Sequence, residues 1–177
     1  MTNTAEQKQI QLDRMRFTKN TLGSRLVYLA ILFNVFYFVS VYESDIGTWY
    51  YQALIGISIV YNLVFMLVSF LSSEGVKNYK TGYGYLLTGL GAAQILRIFI
   101  LPLMAHTALT KRSDPVLKKV VEVPVMEGTQ FTWIIIWLCL SAACCIAAGI
   151  ISVIRSRKLA AYNAAIANNA SLSDNAA

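Results

Sequence analysis

Acidic side chains are missing from every long apolar run of this sequence. The chain has nine Asp and Glu in all, and none falls within 26–42, 49–71, 83–104 or 131–154. A proton- or cation-coupled antiporter of the small multidrug type works through a carboxylate inside the membrane, so the pattern argues against that class. Histidine is almost absent too. His106 stands alone, with no cluster of Cys, Asp or Glu partners to complete a metal site. The three cysteines, Cys139, Cys144 and Cys145, all lie in the last apolar run, without the Cys-x-x-Cys spacing of a thiol oxidoreductase. The vicinal pair reads as small packing residues.

Signature loops of common enzymes are lacking as well. There is no Walker loop, no His-Glu-x-x-His and no Gly-x-Ser-x-Gly. Paired aspartates of the kind that hold Mg²⁺ in a membrane phospholipid synthase are missing. The two halves show no repeat of the sort that underlies inverted-repeat transporters. The expectation is a protein without catalytic residues, cofactor or metal.

What the chain has in abundance is apolar length. Of its 177 residues, 56% are hydrophobic and only 14% charged, and the mean hydropathy is +0.54. Four runs of 17 or more residues approach or exceed what a hydrocarbon core about 30 Å thick requires. The fold class expected is all-α, an integral membrane four-helix bundle with spans at about 26–42, 49–71, 83–104 and 131–154. A basic segment, 1–25, precedes it and a tail, 155–177, follows. The N-terminal region carries no short apolar core with a small-residue cleavage site, so the first span is expected to act as an uncleaved insertion signal.

Charge sets the orientation. Ten of the fifteen Lys and Arg flank the ends of the runs that share a side with the termini; four lie in the loop after the third run, and Arg97 lies within a run. The positive-inside rule then puts both termini in the cytoplasm, N-in and C-in, most simply in the plasma membrane. The net charge of +6 reports on this topology and not on nucleic acid. Segment 1–25 fits either a helix resting on anionic headgroups or a solvated basic arm, and residues 20–24 are expected to break it from the first span. Trp49, Tyr50 and Tyr51 form an interfacial girdle. Residues 72–82 read as a polar turn. Within the long loop, about 106–130, the valine–charge alternation of 116–126 fits a short strand pair or an extended cap. The Ala/Asn-rich tail is expected to start helical and fray.

The third run holds the sharpest feature, a full charge in a stretch long enough to cross a bilayer. Projected at about 100° per residue, Tyr83, Leu86, Leu90, Gln94, Arg97, Leu101 and Met104 share one face, and Gly84, Thr88, Gly91 and Ala92 lie opposite. Both faces look packed, which places this helix in the middle of the bundle. Arg97 either snorkels toward the interface or holds an anion, a substrate or a partner's carboxylate inside the membrane.

Asn34, Asn62 and Gln94 fall at nearly one depth on three helices, and Ser58, Asn62, Phe65 and Ser69 form a mildly polar stripe. Such an amide layer either fixes helix register or lines a path. In the fourth run Ser141, Cys145, Gly149 and Val153 follow a small-xxx-small pattern. With Gly84, Thr88 and Gly91 they make a candidate helix-packing groove, for the third helix or for another polypeptide.

Two functions fit these features. The first is a non-catalytic integral subunit or scaffold of a larger membrane assembly, such as a transport complex. The second is a small homo-oligomeric channel or transporter for an anion, built on Arg97 and the amide layer. The partners expected are the lipid bilayer and either other integral subunits or copies of the chain itself.

Overall fold

The computed structural model describes residues 2–42, 49–100, 102–113 and 120–174. It is helical apart from one short ribbon. The order is α1 (Thr2–Phe17), α2 (Thr21–Tyr42), α3 (Trp49–Lys77), α4 (Thr81–Ile100), α5 (Pro102–Thr107), β1 (Leu109–Ser113), β2 (Val120–Pro124) and α6 (Gly128–Asp174). Four segments are long and apolar enough to cross a membrane: Thr21–Val41, Ala53–Lys77, Thr81–Thr107 and Gly128–Asn168. The expected loop at 43–48, and the part of the outer loop holding Asp114, Pro115, Lys118 and Lys119, lie outside the described residues. So do the side chains of Trp49, Tyr50 and Tyr51.

Helix ends depart from the polarity-based reading, each for a backbone reason. α2 begins at Thr21, not Leu26, because buried Asn20 caps it. Its Oδ1 accepts from Gly23 N at 3.5 Å, and its own N–H donates to Lys77 O at 3.0 Å. α3 runs through the expected turn as far as Lys77. Ser72, Ser73 and Val76 are fully buried there, and Ser24 Oγ and Ser73 Oγ meet at 2.6 Å. The helix closes with paired bonds, Tyr79 N to Val76 O (3.2 Å) and Lys80 N to Gly75 O (3.1 Å). That is the Schellman arrangement, with Tyr79 at φ 55° where glycine usually sits.

At the far end, α4 stops at Ile100. Pro102 has no N–H to offer the Ile98 carbonyl, and a separate short helix, α5, follows. α6 does not fray where its apolar part ends. Its 47 residues would extend about 70 Å at 1.5 Å per residue, far beyond a hydrocarbon core. Alanine-rich turns favour the helix past Ile154, and α1 packs along it, with Tyr162 donating to Asp13 Oδ1 at 2.7 Å. α1 thus takes the helical alternative, but it lies against the α6 extension.

The spanning helices form a square. α2 packs on α3 and α6, α4 packs on α6 and α3, and α2 faces α4 across the middle. Three apolar clusters fill it. Val27, Val76, Leu87 and Ala148 lie at the end bearing the termini; Ala30, Phe65 and Cys145 at mid-height; Tyr37, Val41, Ala105, Val125, Met126, Ile134 and Leu138 at the other end. The last cluster anchors α5 and the antiparallel ribbon, whose register pairs Leu109 with Pro124 and Ser113 with Val120. Val125 N donates to Ala108 O at 3.0 Å beneath it. Outward, α3 presents Ile57, Val60, Leu63, Val64, Leu67 and Phe70, an apolar face suited to acyl chains.

Candidate functional site

α4 occupies a corner of the square, not its middle. Its outer face (Tyr85, Leu86, Leu96, Phe99) is exposed, and Leu86 and Met104 do not share the buried side with Arg97. The buried residues Gly84, Leu87, Gly91, Gln94 and Arg97 step by three or four along the helix. Such a stripe drifts around a straight helix, because its period is shorter than 3.6. Its glycine end therefore faces α6, while its polar end turns toward α2 and α3. A flat projection cannot separate two neighbours served by one drifting stripe.

At the glycine end the backbones of α4 and α6 nearly touch. A Cβ on Gly91 would lie 3.0 Å from Ala142 O, and one on Gly149 would lie 2.7 Å from Gly84 O and closer still to Thr88 Oγ1. Gly84, Thr88, Gly91 and Gly149 are thus the α4–α6 contact. Ser141 and Cys145 face elsewhere. Ser141 Oγ donates to Ala30 O on α2 at 3.0 Å, and Cys145 packs on Ala30 and Phe65. The small-residue pattern of α6 serves two helices of the same chain.

At the polar end Arg97 is 6% exposed and reaches into the bundle. Nη1 donates to Asn62 Oδ1 at 2.6 Å; Nη2 donates to Ser58 O at 3.2 Å and also contacts Ser58 Oγ. The Tyr37 and Tyr61 rings lie 4.3 and 4.6 Å from its Cζ, within cation–π range. The side chain turns into the bundle, where its two terminal nitrogens, Nη1 and Nη2, are engaged by the neighbouring helix. The last-turn position adds the partial negative charge of the α4 carbonyls, including that of Ile98. Among the described residues no carboxylate takes part, and Lys77–Glu74 is the single ion pair.

Gln94 and Asn34 form a second contact one turn away. Gln94 Nε2 donates to Asn34 Oδ1 at 3.0 Å across the diagonal of the square, and both residues are fully buried. The four polar residues singled out from sequence therefore resolve into two pairs, Arg97–Asn62 and Gln94–Asn34. Around them, Asn34 Nδ2, Gln94 Oε1 and the Tyr61 hydroxyl have no hydrogen-bond partner among the described residues. Sequence reading missed the tyrosines. Their signal was depth: tyrosine favours the membrane interface, yet Tyr61 sits twelve residues into α3, beside Asn62.

The class this defines is a bundle of four helices long and apolar enough to cross a membrane, locked by a buried cation, two amide contacts and a glycine seam. No protein family matches this chain, and no curated protein or solved structure shows significant similarity to it.

Proposed function

We propose that this chain is a non-catalytic integral membrane subunit that scaffolds a larger membrane assembly, inserted in the plasma membrane with both termini in the cytoplasm. The observation that carries the reading is the contrast between the bundle and the β1–β2 ribbon. The glycine seam and the Arg97–Asn62 and Gln94–Asn34 pairs are contacts within the chain. The ribbon is anchored at its base but projects from the bundle, with Leu109 and Val120 65% and 67% exposed. A two-stranded ribbon is marginal alone, and its outer backbone edges suit a partner that adds a strand or covers it. The basic asymmetry of the flanking residues supports the orientation.

Purification from the native host in mild detergent, followed by mass spectrometry, tests this. A stoichiometric foreign subunit is expected, and it should be lost from the Leu109→Asn/Val120→Asn variant while that variant still inserts. A self-oligomer alone overturns the scaffold and favours the second reading, an anion pathway. One observation supports that alternative: the Arg97 charge has no acidic partner among the described residues and lies beside unused polar atoms of Tyr61, Gln94 and Asn34. Chloride efflux from proteoliposomes, abolished by Arg97→Gln, is the outcome it requires.

A further inference from the structure

We infer that the cleft between α1, the α3–α4 turn and the α6 extension binds a phosphate ester group. It measures about 930 Å³ and lies at the end of the bundle bearing the chain termini. Its walls hold Arg14 from α1, Lys19 from the α1–α2 link, and Arg155 and Lys158 from α6, with Tyr79 and Tyr162 between them. None of the four cations is ion-paired among the described residues. The nearby acid, Asp13, accepts from the Tyr162 hydroxyl and is not among the residues that line the cleft. Four cations outside any ion pair among the described residues, around a concave space of ligand size, are what a phosphate needs, since Arg offers a planar fork of donors and Lys a point charge.

Two features go beyond what membrane topology requires. Positive residues at this end of the bundle follow from charge-directed insertion, and Arg25 and Lys80 satisfy that demand outside the cleft. Arg155, however, is oriented: its Nη1 donates to Oδ1 of fully buried Asn20 at 2.8 Å, which fixes the guanidinium at the cleft wall. Tyr79 is the second feature. It holds a left-handed backbone, φ 55°, at a helix terminus where glycine fits without steric cost, and it lines the cleft. A bulky residue kept in that conformation is a strain retained for what its side chain does.

The same chemistry has two sources, the headgroup of an anionic phospholipid and a soluble phosphate ester. The test uses the full chain in nanodiscs of neutral, phosphate-free digalactosyldiacylglycerol, to which phosphatidylglycerol or glycerol 3-phosphate is supplied, with bound ligand counted by native mass spectrometry. One phosphatidylglycerol or one glycerol 3-phosphate should be retained per chain, and which of the two is retained identifies the source. Arg14→Gln/Lys158→Gln should weaken retention on the order of tenfold or more. Arg25→Gln/Lys80→Gln, equal in charge removed, should leave it unchanged. Tyr79→Gly should reduce retention severalfold without lowering the thermal midpoint, because the substitution relieves the backbone. Retention of neither probe, or equal loss in the two double variants, overturns the site.

Discussion

Replacing Arg97 separates a side chain valued for its shape from one valued for its charge. Its guanidinium meets two side-chain acceptors, Asn62 Oδ1 and Ser58 Oγ, one carbonyl, and two tyrosine rings. Hydrogen bonds within membranes average about 0.6 kcal/mol and reach about 1.7; cation–π contacts contribute about 0.5–2 each. With three bonds at that average and two ring contacts, the network is worth about 3–6 kcal/mol gross, against about 3 kcal/mol for placing arginine in the bilayer on insertion scales.

Arg97→Leu removes both terms. Ser58 can turn its hydroxyl to a carbonyl of its own helix, and the variant should stay within about 1–2 kcal/mol of wild type. Arg97→Lys keeps the burial cost but loses the fork that bridges Asn62 and Ser58. It should therefore lose more, about 1–3 kcal/mol with no compensating gain. The assay is the monodisperse fraction of detergent-solubilised chain after graded heating, with carbonate extraction to verify insertion. The expected order of stability is wild type, then Leu, then Lys. A lysine variant as stable as wild type, with leucine the worst, would refute this reasoning and mean that the charge itself is neutralised by an acid or anion.

Other contacts give sharper tests of packing and topology. Gly149→Leu should destabilise the bundle by about 1–3 kcal/mol or more, because even its Cβ would crowd Gly84 O and Thr88; Ile150→Leu, on the half-exposed face, should be silent in the same heating assay. A double-mutant cycle on Asn34→Leu and Gln94→Leu should return a coupling of about 0.6–1.7 kcal/mol, and strict additivity would mean that the bond across the square is not made. In a chain stripped of native cysteines, Glu122→Cys should react with an impermeant thiol reagent on intact cells and Ala164→Cys should not. The reverse pattern would invert the proposed orientation.

Burial along α3 was legible because it is written in one spacing. Ser58, Asn62, Phe65 and Ser69 recur at four, three and four residues, and all four are buried. The groove glycines were legible too, from their place in a small-residue stripe, Gly84, Thr88 and Gly91, and not from being glycine, since Gly56 and Gly89 in the same runs meet nothing within 4 Å. Helix ends were not. Polarity placed the end of α3 at Leu71, but a helix ends where its last carbonyls find other donors. Here those donors are the amides of Tyr79 and Lys80, beyond two buried serines that read as loop.

The candidate site shows where single-helix patterns stop being informative. Asn34, Asn62, Gln94 and Arg97 could be placed at neighbouring depths from residue counts alone, because rise per residue is fixed. Their pairing depends on which helices sit diagonally, and that follows from the α4–α6 seam drawing Gly84 and Gly91 against Gly149 and Ala142. Once that seam fixes the rotation of α4, the steps from Gly91 to Gln94 and Arg97 carry the stripe toward α2 and α3. The guanidinium then meets Asn62 and Ser58 between two tyrosine rings, instead of continuing toward the end of its own helix. The glycines and the arginine, read separately as a packing groove and a charged site, are two ends of one constraint. A bulky residue in the seam should therefore loosen the Arg97–Asn62 contact as well as the α4–α6 interface.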